Sequence, residues 1–142
     1  GGVRVVDVGA EIKRMGLGVW NETDECWEVE EEEEERLLDA LETILSEGNC
    51  LVEYHSSALF PERWFDYVVV LTCDNGVLHK RLSGRGYPPH KVTAQVEVEI
   101  MRVPLSEATS SYAFQALITL PSDTEQDMNV NIRRLSCLWG SW

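Results

Sequence analysis

The chain has 142 residues, 44% of them apolar, and its 25 Asp and Glu against 12 Lys and Arg give a formal charge of −13 at pH 7. This length predicts one domain, and the apolar fraction together with five Trp excludes a disordered chain. Residues 1–48 hold 15 acidic and 4 basic residues, so the charge is concentrated in the first third of the chain. Such a surface repels polyanions, which argues against non-specific binding to nucleic acid and to an anionic membrane.

The four cysteines are widely spaced, with no C-x-x-C pair and no histidine at metal-ligand spacing. They indicate neither a zinc site nor a disulfide framework, and they favour a reducing, intracellular compartment. No signal-peptide pattern is present, and no apolar run approaches the ~20 residues that a membrane span requires. We therefore expect a soluble protein that does not enter a membrane.

The first half of the chain predicts two strands and one long helix. The β-branched run at residues 3–8 is typical of a strand that Gly9 ends, and residues 50–54 form a second strand. Residues 10–29 show no sustained period, which predicts a short helix and a loop. An apolar stripe at three-and-four spacing predicts a helix from Glu30, with its glutamates where the helix dipole favours negative charge. The stripe consists of Leu37, Leu38, Leu41, Ile44 and Leu45.

The second half alternates strands with helices. Residues 67–72 are apolar almost without interruption, as in a parallel strand that is buried on both faces. Asp74 is positioned to cap a helix that breaks in the Gly- and Pro-rich residues 84–89. A longer helix from Thr93 contains Pro104, which should kink or divide it.

A fourth strand and a last helix complete the predicted elements. The strand covers residues 114–120, and residues 121–123 lead into an amphipathic helix that should end near Trp139. The residues expected to face inward on this helix are Ile132, Leu135 and Leu138. Because strands alternate with helices along the chain, we expect an α/β fold, a parallel sheet flanked by helices.

Two residues at the end of the second strand are candidates for chemistry. Glu53 ends an apolar strand and His55 follows it, and open α/β sheets bind ligands beyond the carboxyl ends of their strands. Many nucleotide-binding proteins place a carboxylate beside Mg²⁺ in this way. Taken alone, however, the pattern is more typical of a surface strand end, and His55 of a hydrogen-bonding group in a loop.

Three arginines are candidates for binding phosphate. Arg81 and Arg85 are four residues apart, so on a continuous helix both guanidinium groups would lie on one face and bind phosphate oxygens. Cations near the end of a helix also stabilise it, and this is the simpler interpretation of the pair. Arg63 lies in a loop that Pro61 should stiffen, although Glu62 is placed to neutralise it.

Four segments read together show a family resemblance. In order and spacing, "LVEYHSSALFPERWFDYVVVL", "RLSGRGY", "EATSSY" and "LPSD" resemble the nuclear adenylate kinase isoenzyme 6 family, the coilin-interacting nuclear ATPases. The match is closest over residues 51–122, while "RVVDVG" and the "NV" at residues 129–130 fit more loosely. The resemblance implies a P-loop-kinase-like fold that moves a phosphoryl group from Mg-ATP to AMP and hydrolyses ATP. It also implies a role in small-ribosomal-subunit maturation, beside a ribosomal protein in the nucleus.

The resemblance assigns catalytic roles to four residues. Glu53 stands where the family usually has an Asp of Walker B type, which helps to organise Mg²⁺ indirectly. His55 stands at the family's functional histidine. Arg81 and Arg85 match the arginines that open the lid and neutralise charge on the transferring phosphoryl group.

The resemblance also implies nucleotide-binding roles for residues outside this set. Arg63 in "FPERW" would lie near the acceptor nucleotide, and Gly9 would end the strand that leads into the acceptor-nucleotide region. Pro121 and Ser122 fit the loop near the ATP base. Arg81 and Arg85 would contribute to nucleotide binding as well.

The sequence departs from the family pattern in one major respect. It contains no G-x-x-x-x-G-K-S/T motif, and the family's first strand, its P-loop and the next helix would precede Val3. Without that phosphate cradle, we expect the chain as given to be inactive as a kinase. The missing strand is central in such kinases, so two inner strand edges should be unpaired. Either the sequence is incomplete, or the sheet has rearranged or found a substitute strand. Smaller departures are Glu53, Ser56, Ala58 and Pro104.

We therefore expect residues 1–142 to form one partial nucleoside monophosphate kinase-like domain that binds ATP, AMP and Mg²⁺. Its acceptor-nucleotide region would cover residues 10–48, and a short lid residues 83–92. The expected location is the nucleus, with the cytoplasm left open. The alternative is a non-catalytic assembly factor, in which the acidic residues 22–35 face a basic small-subunit ribosomal protein and the nucleotide site has decayed.

Overall fold

The computed structural model describes residues 3–21, 26–112 and 117–140. The chain divides into two compact units, Gly1–Trp64 and Phe65–Trp142. Both units contain parallel strand pairs and helices, so the α/β fold class is confirmed. No helix in the described ranges combines the length and the apolar character of a transmembrane span.

Two small sheets lie in the described part of the first unit. Its elements are β1 (Arg4–Asp7), α1 (Val8–Arg14), β2 (Val19–Asn21), β3 (Cys26–Glu28), α2 (Glu31–Leu45), β4 (Cys50–Glu53) and a 3-10 turn (Glu62–Trp64). β1 and β4 pair in parallel, from Arg4 beside Cys50 to Asp7 beside Glu53. β2 and β3 form an antiparallel hairpin in the segment where the sequence predicts a helix and a loop.

The start of α1 corrects the expectation for Gly9. The strand ends at Asp7, whose Oδ1 accepts a hydrogen bond from the Ala10 amide at 3.1 Å and so caps the helix. Gly9 is therefore in the first turn of α1 and does not end the strand. The short helix that the sequence predicts in this segment is confirmed.

The long helix α2 begins as predicted, with Glu30 as its N-cap. Glu33 has two contacts here. Its Oε1 accepts from the Glu30 amide at 3.5 Å in a capping box, and its Oε2 accepts from the Gly18 amide at 3.1 Å. Leu37 and Leu41 are fully buried and fix the inner face of the helix. One glutamate of the acidic run thus joins the hairpin segment to α2.

In its described residues, the second unit has one parallel strand pair and four helices. Its elements are β5 (Val68–Thr72), α3 (Asn75–Gly84), α4 (Pro89–Ile100), α5 (Val103–Ser111), β6 (Leu117–Pro121) and α6 (Glu125–Gly140). β5 and β6 pair from Val68 beside Leu117 to Thr72 beside Pro121. The core of this unit joins Val68 and Val70 of β5 with Ala108 and Tyr112 at the end of α5.

Within the described ranges, each strand is hydrogen-bonded along a single edge. β4 pairs with β1, and β5 pairs with β6. The expectation of two unpaired inner strand edges stays a prediction. The predicted strand over residues 114–120 is observed from Leu117, and residues 114–116 lie outside the described ranges.

The predicted break at Pro104 is confirmed. α4 ends at Ile100, Arg102 adopts a left-handed conformation with φ of 52°, and α5 restarts at Val103 with Pro104 in its first turn. Proline has no amide hydrogen, and in an uninterrupted helix its ring would meet the Ile100 carbonyl. The chain therefore starts a second helix. α4 itself begins at Pro89, four residues before the predicted start.

The inner face of α6 differs from the prediction. Ile132, expected to face inward, is 53% exposed, whereas its neighbour Asn131 is only 7% exposed. The Asn131 Nδ2 group donates to the Pro121 carbonyl at 2.7 Å, so a hydrogen bond to the end of β6 sets the rotation of the helix. Leu135 and Leu138 are half-buried.

The helix break supplies a stability prediction. A left-handed backbone conformation destabilises the folded state by ~1 kcal/mol more for an L-residue than for glycine. Glycine also stabilises the unfolded chain through its greater conformational freedom, and this offsets part of the difference. Arg102→Gly should therefore raise the free energy of unfolding by ~0.5 kcal/mol in urea denaturation. Met101→Gly is the matched control, because Met101 is exposed with a right-handed φ of −75°. It should lower the same free energy, and equal losses in both variants would contradict the interpretation.

Candidate functional site

Two acidic residues end neighbouring parallel strands in the first unit. Glu53 closes β4 and lies beside Asp7 of β1 in the strand register. Both residues are exposed, and the Glu53 carboxylate has no hydrogen bond or ion pair within the described part of the chain. Asp7 was not singled out from the sequence. The signal was available, since "RVVDVG" ends an apolar strand with an acid just as "CLVE" does.

The loop after β4 is held by aromatic contacts. The exposed His55 ring lies 4.2 Å from the Tyr54 ring, and Tyr54 meets the buried Phe60 edge-on at 5.9 Å. Phe60 in turn lies 6.1 Å from Trp64 of the 3-10 turn. These contacts fix the backbone on both sides of the loop, which keeps His55 near the carboxyl end of β4.

Arg63 lies in the 3-10 turn at the end of this loop. Its Nη2 is 3.5 Å from Oε1 of Glu42 on α2, and both side chains are exposed. An exposed ion pair of this kind contributes little to stability and exchanges readily with other anions. The guanidinium group is therefore accessible to a ligand.

Arg81 in the last turn of α3 is engaged by another element. Its Nη1 donates to the Ser122 carbonyl at 2.6 Å, and its Nη2 donates to the Asp123 carbonyl at 2.7 Å. The same Nη1 lies 3.4 Å from the Cys73 sulfur. The structure thus brings Arg81 together with Ser122, two residues for which the sequence predicts different parts of one nucleotide site.

Residues 121–124, here called the β6–α6 loop, have all their backbone polar groups paired. The Ser122 amide donates to the Thr72 carbonyl at 2.7 Å, and the Asp123 and Thr124 amides donate to Asp127 Oδ2 at 3.1 and 3.2 Å. The two middle carbonyl groups, of Ser122 and Asp123, accept from Arg81. The two outer ones accept from Asn131 Nδ2 and from the Met128 amide. The loop is held in one shape before any ligand arrives.

A second contact joins this loop to the end of β5. The Asp123 carboxylate accepts from the Asp74 amide at 2.5 Å, while Asp74 Oδ2 caps α3 through the Gly76 and Val77 amides. The capping role predicted for Asp74 is therefore confirmed. Arg81 and Asp123 together fasten the β6–α6 loop to both ends of α3.

Cys73 lies at the centre of these contacts. Its amide donates to Glu99 Oε1 at 3.0 Å, which anchors α4 to the end of β5. Burial raises the pKa of the Cys73 thiol; Arg81 acts in the opposite direction, and Asp123 and Glu99 add to the rise. The thiol is consequently less reactive than an ordinary cysteine.

A cavity of about 500 Å³ opens beside the carboxyl end of β5 in the second unit. Its walls include the helix break between α4 and α5 and the start of α3. Among the lining residues are Thr72, Cys73, Glu99, Arg102, Leu105 and Asp123. The polar groups that line it on the strand side already bond one another, so this space is bounded by a rigid polar wall.

Arg85 contrasts with Arg81. It is the C-cap residue of α3, it is exposed, and its guanidinium group has no hydrogen bond or ion pair within the described residues. The chain then turns through Gly86, with φ of 80°, into α4. The two arginines therefore differ in their partners, since Arg81 is bonded to two carbonyl groups and Arg85 is not.

The described residues contain no group of three or more His, Cys, Asp or Glu that could hold a metal ion. Mg²⁺ needs fewer protein ligands than this, because it keeps several water molecules and takes oxygen atoms from phosphates. The unpaired carboxylate of Glu53 suits such an indirect role. The catalytic and nucleotide-binding roles of the individual residues stay predictions.

Comparison with known proteins identifies the family. A family model described as "AAA domain" matches residues 2–102. The adenylate kinase isoenzyme 6 homolog FAP7 of Saccharomyces cerevisiae is 36% identical over 139 residues, which cover 93% of this chain and 71% of the relative. The homolog of Caenorhabditis elegans is 38% identical over 140 residues, covering 96% and 75%.

A more distant relative comes from an archaeon. The putative adenylate kinase of Methanocaldococcus jannaschii is 30% identical over 108 residues, which cover 75% of this chain and 58% of the relative. These matches cover between 75% and 96% of this chain. The chain belongs to the adenylate kinase isoenzyme 6 family, with a P-loop-kinase-like α/β fold.

Proposed function

We propose that this protein transfers a phosphoryl group from Mg-ATP to AMP. The observation that carries the proposal is the unpaired carboxylate of Glu53 at the carboxyl end of a parallel strand, in a chain whose relatives are named adenylate kinases. Ligands of open α/β sheets bind at that end of the strands. Phosphoryl transfer needs positioning and charge stabilisation more than covalent chemistry, and the exposed charged groups here are of the required kinds.

Glu53 would hold Mg²⁺ through water molecules. The ion would neutralise charge on the ATP phosphates. Asp7, beside Glu53 in the register, already uses one oxygen to cap α1, so Glu53 supplies the freer carboxylate. His55, held against Tyr54 at the end of the same strand, would hydrogen-bond a phosphate oxygen or the water that hydrolyses ATP.

Arginines would bind the phosphates of the two nucleotides. Arg85 has no partner within the described residues, so its full set of donors is available to the transferring phosphoryl group. Arg63 would exchange its exposed contact with Glu42 for the phosphate of AMP. Gly9, in the first turn of α1, would keep the helix start clear for the acceptor nucleotide. Its missing Cβ would lie 3.3 Å from Asp7 Oδ1.

The 142-residue sequence has no G-x-x-x-x-G-K-S/T motif, so the backbone amides and lysine that cradle the β and γ phosphates are not among its residues. We propose that this chain alone does not turn over ATP. Activity would require a P-loop segment joined to it.

A matched pair of proteins tests this proposal. The first is the 142-residue chain, and the second is the same chain with the first strand, P-loop and following helix that the family resemblance implies added at its N-terminus. A coupled assay with Mg-ATP should detect AMP-dependent turnover only in the extended protein. Circular dichroism confirms that both are folded. Absence of turnover from a folded extended protein would contradict the proposed function, and turnover by the short chain would contradict the requirement for a cradle.

The role of Glu53 has its own test in the extended protein. Glu53→Gln removes the charge that orients Mg²⁺, and turnover should fall by ~100-fold because that charge acts on the transition state. Glu53→Asp should keep most of the activity. Glu125→Gln on the exposed start of α6 is the matched control and should not change the rate. Equal rates for Glu53→Gln and the control would remove Glu53 from the mechanism.

We propose further that the protein hydrolyses ATP and acts in small-ribosomal-subunit maturation in the nucleus.

A second candidate function is a non-catalytic assembly factor that binds a basic small-subunit ribosomal protein. Its support is the start of α2, where Glu31, Glu32 and Glu35 are exposed and take no part in the capping box. A cluster of exposed carboxylates attracts a basic partner through long-range electrostatics.

A binding experiment tests the second candidate function. The chain, immobilised, is offered small-subunit ribosomal proteins at rising salt, and the same is done with Glu31, Glu32 and Glu35 changed to Gln. Electrostatic capture should weaken with salt and fall by ~10-fold in the triple variant. Replacement of Glu97, Glu107 and Glu125 by Gln is the control with equal charge loss. Capture that neither salt nor the α2 variant reduces would exclude the acidic surface as the binding site.

A further inference from the structure

We propose that Arg81 is a positioning residue that holds the β6–α6 loop in the shape that receives the base of ATP. The ligand in this inference rests on the proposed function, whereas the geometry rests on contacts within the second unit. This role differs from that of Arg85, although the family resemblance implies one role for both.

The guanidinium group of Arg81 already has its partners in the β6–α6 loop. Both terminal nitrogens of Arg81 donate to carbonyl oxygens, of Ser122 at 2.6 Å and of Asp123 at 2.7 Å. Hydrogen bonds from a charged donor at these distances are strong. If the Arg81 side chain moved to bind a phosphate, the Ser122 and Asp123 carbonyl groups would both lose their hydrogen bonds. Arg85 can bind an anion without any such loss.

The remaining backbone groups of the β6–α6 loop are bonded by other residues. Its amides are fixed by Thr72 and Asp127, and its outer carbonyls by Asn131 and the Met128 amide. The two middle carbonyls are bonded by Arg81. Without Arg81, the loop amides would keep their partners, but the Ser122 and Asp123 carbonyl groups would have none. The Ser122 peptide group would then be free to rotate.

The loop that Arg81 holds is the one that the family resemblance places near the ATP base. Pro121 and Ser122 are its two residues named by that resemblance, and Arg81 bonds the second of them directly. A preorganised loop binds a planar base without the entropic cost of first ordering its backbone. Arg81 would therefore act on ATP affinity through the loop and would not contact the nucleotide.

Hydrogen exchange measured by mass spectrometry tests the geometry without nucleotide, on the 142-residue chain and on the extended protein. In Arg81→Met, amides of residues 122–124 should exchange ~10-fold faster, because two charge-assisted hydrogen bonds are lost. Arg81→Lys should give an intermediate rate, since one ammonium group can reach one carbonyl. The control is Arg134→Met, an exposed arginine of α6, which should match wild type. Unchanged loop exchange in Arg81→Met would overturn the proposal.

Titration calorimetry of the extended protein then tests the effect on the ligand. Arg81→Met should weaken Mg-ATP binding by ~10-fold and leave AMP binding unchanged. Arg81→Lys should recover part of the affinity. A loosened loop with ATP affinity equal to wild type would overturn the positioning role. If wild-type extended protein bound neither nucleotide, the proposed function would fail and the named ligand with it, while the exchange result would still decide whether Arg81 holds the loop.

The thiol of Cys73 distinguishes loss of the Arg81 charge from general loosening. Arg81 counteracts the burial, Asp123 and Glu99 that raise the pKa of this thiol. Arg81→Met should therefore raise that pKa further, so that labelling of Cys73 by iodoacetamide at mildly alkaline pH becomes slower. General unfolding of the region would expose the thiol and make labelling faster. Faster labelling would thus overturn the specific contact, and Arg81→Lys should label at the wild-type rate.

Discussion

The parallel pairing of β5 with β6 is the interaction on which the second unit depends. The register places Thr72 beside Pro121, and the ladder continues one step further through the Ser122 amide to the Thr72 carbonyl. That extra bond brings the start of the β6–α6 loop beside the turn that leads into α3. Because the carboxyl ends of both strands meet there, the cap of α3 and the loop can share partners, as the Asp123 carboxylate and the Asp74 amide do.

The first unit repeats this arrangement with a different outcome. The register of β1 and β4 ends with Asp7 beside Glu53, again at the carboxyl ends of parallel strands. Here one acid is used by the fold, since Asp7 caps α1, and the other is not. The glutamate run shows the same division, because Glu33 joins Gly18 and Glu30 while Glu31, Glu32 and Glu35 are exposed. At each of these ends, some charged groups are bonded to backbone amides of the fold, and the others are available to bind a ligand.

Sequence patterns predicted the elements whose signals are local. The stripe of α2, the Asp74 cap and the break at Pro104 each depend on residues within a few positions of one another, and all three are confirmed. The hairpin of β2 and β3 was missed because its strands have three residues each, too few for an alternating pattern to show. The inner face of α6 was misassigned for another reason. An asparagine was buried by a hydrogen bond to a distant strand end, and hydrophobic periodicity contains no information on such a partner.

The same limit applies to the candidate site. A spacing of four residues places Arg81 and Arg85 one helical turn apart, and the Arg85 amide does donate to the Arg81 carbonyl at 3.1 Å, but the spacing does not show which partners each guanidinium group meets. Arg81 is still in the last turn, where it meets carbonyl groups of a loop 41 residues further along the chain. Arg85 is already the cap residue and faces solvent. Two identical side chains, matched by the same motif, thus differ in the property that decides their chemistry. An arginine whose donors are bonded to carbonyls shapes the protein, and an arginine whose donors are free can bind a phosphate.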